Sequence, residues 1–181
     1  MKLLKLFLIP LATLAMLAGP AMAQNAASNT IVMTTKHGRT VIRLLPDIAP
    51  KHVAQIKTLV SQKFYDGIVF HRVIEGFMAQ TGDPTGTGTG GSKLPDLPAE
   101  FSQYVFKRGT VGMARSQNPN SANSQFFICF DDSGCRGLTG QYTVWAQVTS
   151  GMEAIDKVKR GAPGSGTVSG PDKIGSMRLG K

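Results

Sequence analysis

The 181-residue sequence is poor in the residues that build metal and redox centres, with two cysteines and three histidines. Cys129 and Cys135 have no third or fourth ligand at a zinc-binding spacing. His37, His52 and His71 are not paired at such intervals either, so the pattern calls for no metal and no cofactor. No serine stands in a Gly-x-Ser-x-Gly turn, which removes the strained nucleophile of one large hydrolase class. The stretch GTGTGG at Gly86–Gly91 invites a phosphate-binding reading but lacks the helix such a loop must open; Pro95 and Pro98 follow instead. It reads as a mobile surface loop packed near a site. Acidic residues are also scarce, 11 against 20 basic ones, for a formal charge of +9. No aromatics interleave the basic residues, which argues against nucleic-acid binding. The densest basic run, KVKR at Lys157–Arg160, reads as a helix end, where cations are favourable. Internal repeats and a second domain are both missing.

The first residues follow a secretory pattern. Met1–Lys5 is basic, Leu6–Gly19 is apolar, and AMA at Ala21–Ala23 offers small residues for cleavage after Ala23. The apolar run is short for a membrane span and Pro10 interrupts it. The expectation is a signal peptide over 1–23 and a single domain over 24–181. Loss of Lys2 and Lys5 would lower the formal charge from +9 to +7. The mature chain is expected in the periplasm, with the outside medium as the alternative, and without a membrane anchor. In such a compartment Cys129 and Cys135 could form a bridge. A cysteine ending an apolar strand, as Cys129 does, is more often a buried free thiol, and that is the reading the residues favour.

Along the rest of the chain, Thr30–Thr35 and Thr40–Leu45 read as strands joined by a turn through His37 and Gly38. The period then changes. Val53, Ile56, Leu59 and Val60 share a helical face behind Pro50, a residue suited to a first turn. GTVGMAR, QFFICF (Gln125–Phe130), QYTVWAQV and KIGSMRLG read as further strands, with SQNPNSANS and DDSGCRGLTG as loops. SGMEAIDKVKRG reads as a second helix with a capping box of Ser150 and Glu153 and a terminating Gly161. Many short strands with long loops and two helices predict a closed antiparallel β-barrel, all-β apart from a helix over each mouth.

One segment resists this reading. FHRVIEGFMAQTGD, from Phe70 to Asp83, has strand character on both sides of a Glu75–Gly76 bend, yet carries Arg72 among apolar residues. Burying an arginine is costly unless something uses its donors. Periodicity alone favours a snorkelling side chain over a core strand.

The same segment resembles the hallmark stretch of the cyclophilins, the peptidyl-prolyl cis-trans isomerases. GTGTGG, GMARSQNPNSANSQFFICF and LTGQYTVWAQV resemble later segments of that family in the same order, and the likeness runs from Ile31 to Leu179. It implies an eight-stranded antiparallel barrel with two helices, in agreement with the pattern above. It implies a catalytic Arg72, with Gln80 in the catalytic set, and Gln125 as a further polar group of the site. It also implies a proline pocket from Phe77, Met78, Phe127 and Leu138. Ala114 and the backbone of Arg115 would flank the substrate, with Tyr142 where many eukaryotic members carry histidine. Gly88 and Thr89 would lie near the pocket for residues preceding proline, and His71 would be a buried structural neighbour. Gly137 stands where the family often has a tryptophan associated with cyclosporin binding, which argues against strong cyclosporin inhibition. The loop Arg115–Gln125 is one residue longer than usual, and Glu75 replaces a frequent proline. The implied partners are proline-containing unfolded or flexible polypeptides, met by a monomer. The implied activity is X-Pro isomerisation during folding of exported proteins; the competing reading is a chaperone or adaptor that binds proline peptides without catalysis. The presence of Arg72, Phe77, Met78, Gln80 and Phe127 together favours catalysis, because simple binding does not require the arginine donor.

Overall fold

A computed structural model describes residues 29–180; the expected signal segment and its cleavage point lie outside them. The described residues form eight strands: β1 (Thr30–Thr35), β2 (Gly38–Leu44), β3 (Arg72–Ile74), β4 (Met78–Thr81), β5 (Thr110–Met113), β6 (Phe126–Cys129), β7 (Val144–Ser150) and β8 (Ile174–Leu179). Among the described residues three helices accompany them: α1 (Pro50–Ser61), α2 (Asp132–Cys135) and α3 (Met152–Asp156). The strands make one antiparallel sheet in the order β3-β4-β6-β5-β7-β2-β1-β8. Its edges, β3 and β8, share no regular ladder. The seam is closed by irregular backbone bonds instead, including Phe70 N to Asp172 O at 2.9 Å, Ile174 N to Ile68 O at 2.9 Å and Val73 N to Gly166 O at 2.7 Å. The expected barrel is therefore a strongly curled sheet whose closure depends on chain segments outside the strands.

Alternation explains the interior. Ile31 and Met33 on β1 face inward with Thr40, Ile42 and Leu44 on β2, and Ile31 pairs with Ile42 across the hairpin. Phe126, Ile128, Trp145 and Ala146 join that core, with the Phe126 and Trp145 rings edge-to-face at 5.5 Å. Helix α1 buries Val53, Ile56, Leu59 and Val60 and packs on β7 and β8. It starts at Pro50 without a side-chain cap of its own. Glu100, from a distant loop, accepts hydrogen bonds from Lys51 N and His52 N, both at 3.1 Å, and does that job. Helix α3 packs on β2.

Four sequence expectations need correction. Ser150 ends β7 instead of capping α3, whose N-cap is Gly151 with φ 84° and no side-chain bond. Helix α3 stops at Asp156, so Lys157–Arg160 is not its last turn. Arg160 instead pairs with Glu75 and lies 4.1 Å over the Phe130 ring. The loop DDSGCRGLTG contains α2 and a 3₁₀ turn over Arg136–Leu138, because Asp131 accepts a bond from Ser133 N at 2.7 Å and nucleates a turn. That turn folds the chain back and brings the Cys135 Cα to 6.2 Å from that of Cys129, where the two form a disulfide; the free-thiol reading is overturned.

Candidate active site

The site lies on the outer face of β4 and β6, and the alternation of these strands is what places it there. Along β6, Phe126 and Ile128 point into the barrel core. Phe127 and Cys129 point out, into a second apolar cluster with Met78, Phe106, Cys135 and Val144. On β4, Ala79 joins the inner core and Met78 the outer cluster. The turn at Glu75–Gly76 makes β3 and β4 a tight hairpin, with Phe77 N bonded to Ile74 O at 3.1 Å and Gly76 at φ 69°, a conformation glycine adopts without strain. Its register sets Arg72 opposite Gln80, and Gln80 opposite Phe127. Phe127 in turn faces Gly112 on β5. One lateral row thus runs from guanidinium to amide to aromatic ring. Gly112 is required in that row: a Cβ there would come within 2.6 Å of the Phe127 ring and 2.7 Å of Phe106, the two rings that stack at 5.7 Å.

Around this row is a cavity of about 190 Å³ lined by Arg72, Phe77, Met78, Gln80, Ala114, Arg115, Phe127, Leu138 and Tyr142. Tyr142 stands edge-on to Phe127 at 5.7 Å. A space this size is well below that of a drug-sized site and suits one small apolar group. Next to it lies a polar cavity of about 560 Å³ that shares Gln80, Ala114 and Arg115 and continues over Gly88, Thr89 and Gln125. The structure therefore gathers all twelve sequence-derived site residues into two adjoining cavities. Sequence reasoning missed Ser92, Asp96, Ser116, Ser121 and Asn123 in the second. A signal for them is a polar loop, SQNPNSANS, but its partner loop is set only in space, by Asn123 Oδ1 accepting from Ser92 N at 2.8 Å.

The polar groups form a relay. Arg72 Nε donates to Ser165 O at 3.1 Å and Nη1 to Gln80 Oε1 at 3.3 Å. Gln80 Nε2 donates to Gln125 Oε1 at 2.9 Å, and Gln125 Nε2 donates to Gly88 O and Gly90 O at 3.0 and 2.8 Å. Arg72 Nη2 has no protein acceptor among the described residues, and no carboxylate forms an ion pair with this side chain there. The guanidinium is thus held at two points and keeps donors free toward the cavity. Gly166 permits this: a Cβ there would lie 3.2 Å from Arg72 Cγ and 2.4 Å from Ile74.

The glycine loop is pinned rather than loose. The buried Asp83 carboxylate accepts from the backbone N–H groups of Thr85, Thr87, Gly88 and Gly90 at 2.6–3.1 Å. Burial pushes this carboxyl up, but its bonds to Thr85, Gly90 and Gly88 outweigh that and hold it down at about 2. His71 lies beneath the same loop, its ring 3.5 Å from where a Gly88 Cβ would be. Burial lowers its imidazole, assisted by Arg72 and opposed by Asp83, so at neutral pH it is an uncharged filler. Among the described residues no cluster of three or more histidine, cysteine or acidic side chains could hold a metal ion.

Comparison with known proteins shows the family. Residues 30–179 match the family model for the cyclophilin type peptidyl-prolyl cis-trans isomerase/CLD. A probable peptidyl-prolyl cis-trans isomerase of Brucella suis is 58% identical over 158 residues, covering 81% of this chain and 80% of the relative. Peptidyl-prolyl cis-trans isomerase-like 3 of Rattus norvegicus is 38% identical over 135 residues, covering 72% of this chain and 82% of that protein. Among solved structures, a Cryptosporidium parvum cyclophilin type peptidyl-prolyl cis-trans isomerase, crystallised in the presence of the dipeptide Ala-Pro, superposes with a TM-score of 0.76 at 26% identity; the match covers 84% of this chain and 99% of that one. A cyclophilin from Hirschia baltica gives 0.73 at 28% identity, over 84% and 74% of the two chains.

Proposed function

The chain belongs to the cyclophilin-type peptidyl-prolyl cis-trans isomerase family, and from that premise we propose that it isomerises X-Pro bonds of flexible or unfolded exported polypeptides, with Arg72 as the catalytic donor. The peptide bond resists rotation by about 18–20 kcal/mol because the nitrogen lone pair is delocalised into the carbonyl. Uncatalysed X-Pro exchange takes roughly tens to hundreds of seconds, slow enough to limit folding. No covalent step is needed: a catalyst has only to hold the twisted amide more tightly than either planar form.

The apolar walls, Phe77, Met78, Phe127 and Leu138, would take the proline ring and strip its water. As the bond twists, the nitrogen turns pyramidal and becomes a better acceptor. A guanidinium aimed at it gains strength in the transition state. Arginine suits this because it stays charged and offers donors in a rigid fork. Gln80 would keep that fork in register, and Ala114 with the neighbouring backbone would hold the peptide alongside. The single observation that carries this reading is the lateral row Arg72–Gln80–Phe127, with a guanidinium held at two points above an apolar cavity. The similar structure crystallised in the presence of Ala-Pro supports proline as the group bound. The leader-like residues 1–23 support export to the periplasm, and with it a role in folding exported chains, by a monomer that needs no cofactor.

The test is cis-to-trans exchange of an Ala-Pro peptide by the purified mature chain beside Arg72→Ala. We expect a loss of about 10²–10³ in kcat/KM, as for removal of one preorganised donor, with thermal stability retained. Full activity in the variant sinks the role of Arg72. Absence of acceleration by the folded wild type points to a protein that only binds proline peptides.

A further inference from the structure

Arg115 lines both cavities, as do only Gln80 and Ala114 besides. Its guanidinium is nevertheless occupied by backbone. Nη1 donates to Ser116 O at 2.9 Å and Gln117 O at 3.4 Å, while Nε and Nη2 donate to Gln141 O at 3.3 and 3.0 Å. Its Cζ lies 4.6 Å from the Tyr142 ring centroid and 6.0 Å from that of Phe101. Among the described residues no carboxylate pairs with it. The two carbonyl sets belong to different walls. Ser116 and Gln117 open the loop whose Ser116, Ser121 and Asn123 line the polar cavity. Gln141 precedes Tyr142, which with Leu138 walls the apolar one.

We propose that the Arg115 side chain is a positioning residue that staples these walls together and so fixes the ridge dividing the proline cavity from the polar cavity. This rests on the reading that a peptide binds across the site. In an extended peptide alternate side chains point the same way, so a chain crossing the ridge sets proline in one cavity and the side chain two residues away in the other. The spacing between the cavities then decides whether both are filled at once. Arg72 is anchored to Ser165 and Gln80, neither of which accepts a bond from Arg115, so it does not depend on the staple. Lysine cannot replace Arg115, because a single ammonium lacks the planar fork that reaches two carbonyl sets while stacking on an aromatic face.

The experiment compares wild type, Arg115→Ala and Arg115→Lys on an Ala-Pro-based short substrate and on a proline hexapeptide, reading KM and kcat separately, with Kd for the hexapeptide from NMR titration. The expected result is a rise of about tenfold in KM and Kd for the hexapeptide, from loss of charge-assisted bonds. The short substrate should be affected less, kcat should change by about twofold or less, and lysine should give no rescue. Unchanged KM, a fall confined to kcat, or full rescue by lysine overturns the proposal; a fall confined to kcat is what general loss of folded protein gives. If Arg115→Ala does not fold, Arg115→Gln, which keeps most of the aliphatic stem, is read the same way. If the wild type binds the hexapeptide without catalysis, isomerisation fails as a reading, and the Kd ratio still decides the staple.

Discussion

The two faces of β6 are equally buried but differ in purpose. Inward, Phe126 and Ile128 are fully enclosed by the chain's own core. Outward, Phe127 is 5% exposed, and what covers it is a thin layer: Phe106, Tyr142, Leu138 and the disulfide behind them. The inner face closes on itself. The outer face is closed everywhere except over Phe127, beside Arg72. Low exposure therefore does not tell a core residue from a pocket floor; the presence of an adjacent cavity and an unused donor does.

That contrast can be broken first by truncating each ring. Phe126→Ala should cost about 3–5 kcal/mol of stability, because the cavity it leaves is walled by rigid core. Activity per folded molecule should survive. Phe127→Ala should also destabilise, but its clearest effect should be a raised KM for proline peptides. Denaturant unfolding and steady-state exchange on both variants give the answer, and equal loss of peptide affinity in both would abolish the distinction.

A smaller effect is expected from the layer behind the floor. Cys129 pairs with Met78 across the β4–β6 ladder, and Cys135 leads directly into the turn carrying Leu138. The disulfide therefore ties pocket floor to pocket wall. Replacing both cysteines by alanine should lower stability by about 2 kcal/mol, the loop-closure value for a short separation. It should raise KM more than it lowers kcat. Calorimetry and kinetics on the double variant check this; unchanged KM would show that Leu138 holds its place unaided.

Acid should act on the outer face through Asp83. Its carboxyl sits at about 2 when folded, against an ordinary value of 3.8. A depressed carboxylate contributes stability that is present above its unfolded value and is lost as pH falls through the folded one. Between about pH 4 and 2 the glycine loop should lose its anchor. Asp172, also held at about 2 by Lys36, His37 and Lys159 against the cost of burial, loses its contribution in the same window. Asp83→Asn should be less stable at pH 7 and should show a shallower decline across that window. A decline as steep as that of the wild type would assign the acid sensitivity to the other depressed carboxyls, Asp172, Asp66, Glu100 and Asp131.

The smallest effect is expected at Gly137. A Cβ there meets nothing within 4 Å, so Gly137→Trp should fold with near wild-type stability. It should add apolar surface beside Leu138 and lower KM for peptides carrying a bulky residue next to proline. A large drop in melting temperature would show that the open space is needed.

The hairpin β1–β2, the helix α1 and the ends of β8 were legible in the sequence because they are local. Alternation, the change of period and Pro50 are properties of a few adjacent residues. The capping box at Ser150 misled for the same reason. β7 runs through Ser150, and ladder bonds to Val41 outrank a local cap. The short α2 and the disulfide were illegible, since a bridge depends on whether a turn returns one cysteine to the other.

The site divides in the same way. Phe77, Met78, Gln80 and Phe127 could be named from the order of residues and the likeness to a family. What Arg72 is for could not be read from periodicity, which sends it to the surface. By itself the sequence determined the strand pattern, the apolar alternation and the absence of any metal, nucleophile or phosphate motif, because each depends on neighbours along the chain. Tertiary structure alone decided the register that lines up Arg72, Gln80 and Phe127, the seam that closes the barrel, and the second cavity built from Ser92, Asp96 and Asn123. Each of these joins residues far apart in sequence, and only the packed sheet sets the distances between them.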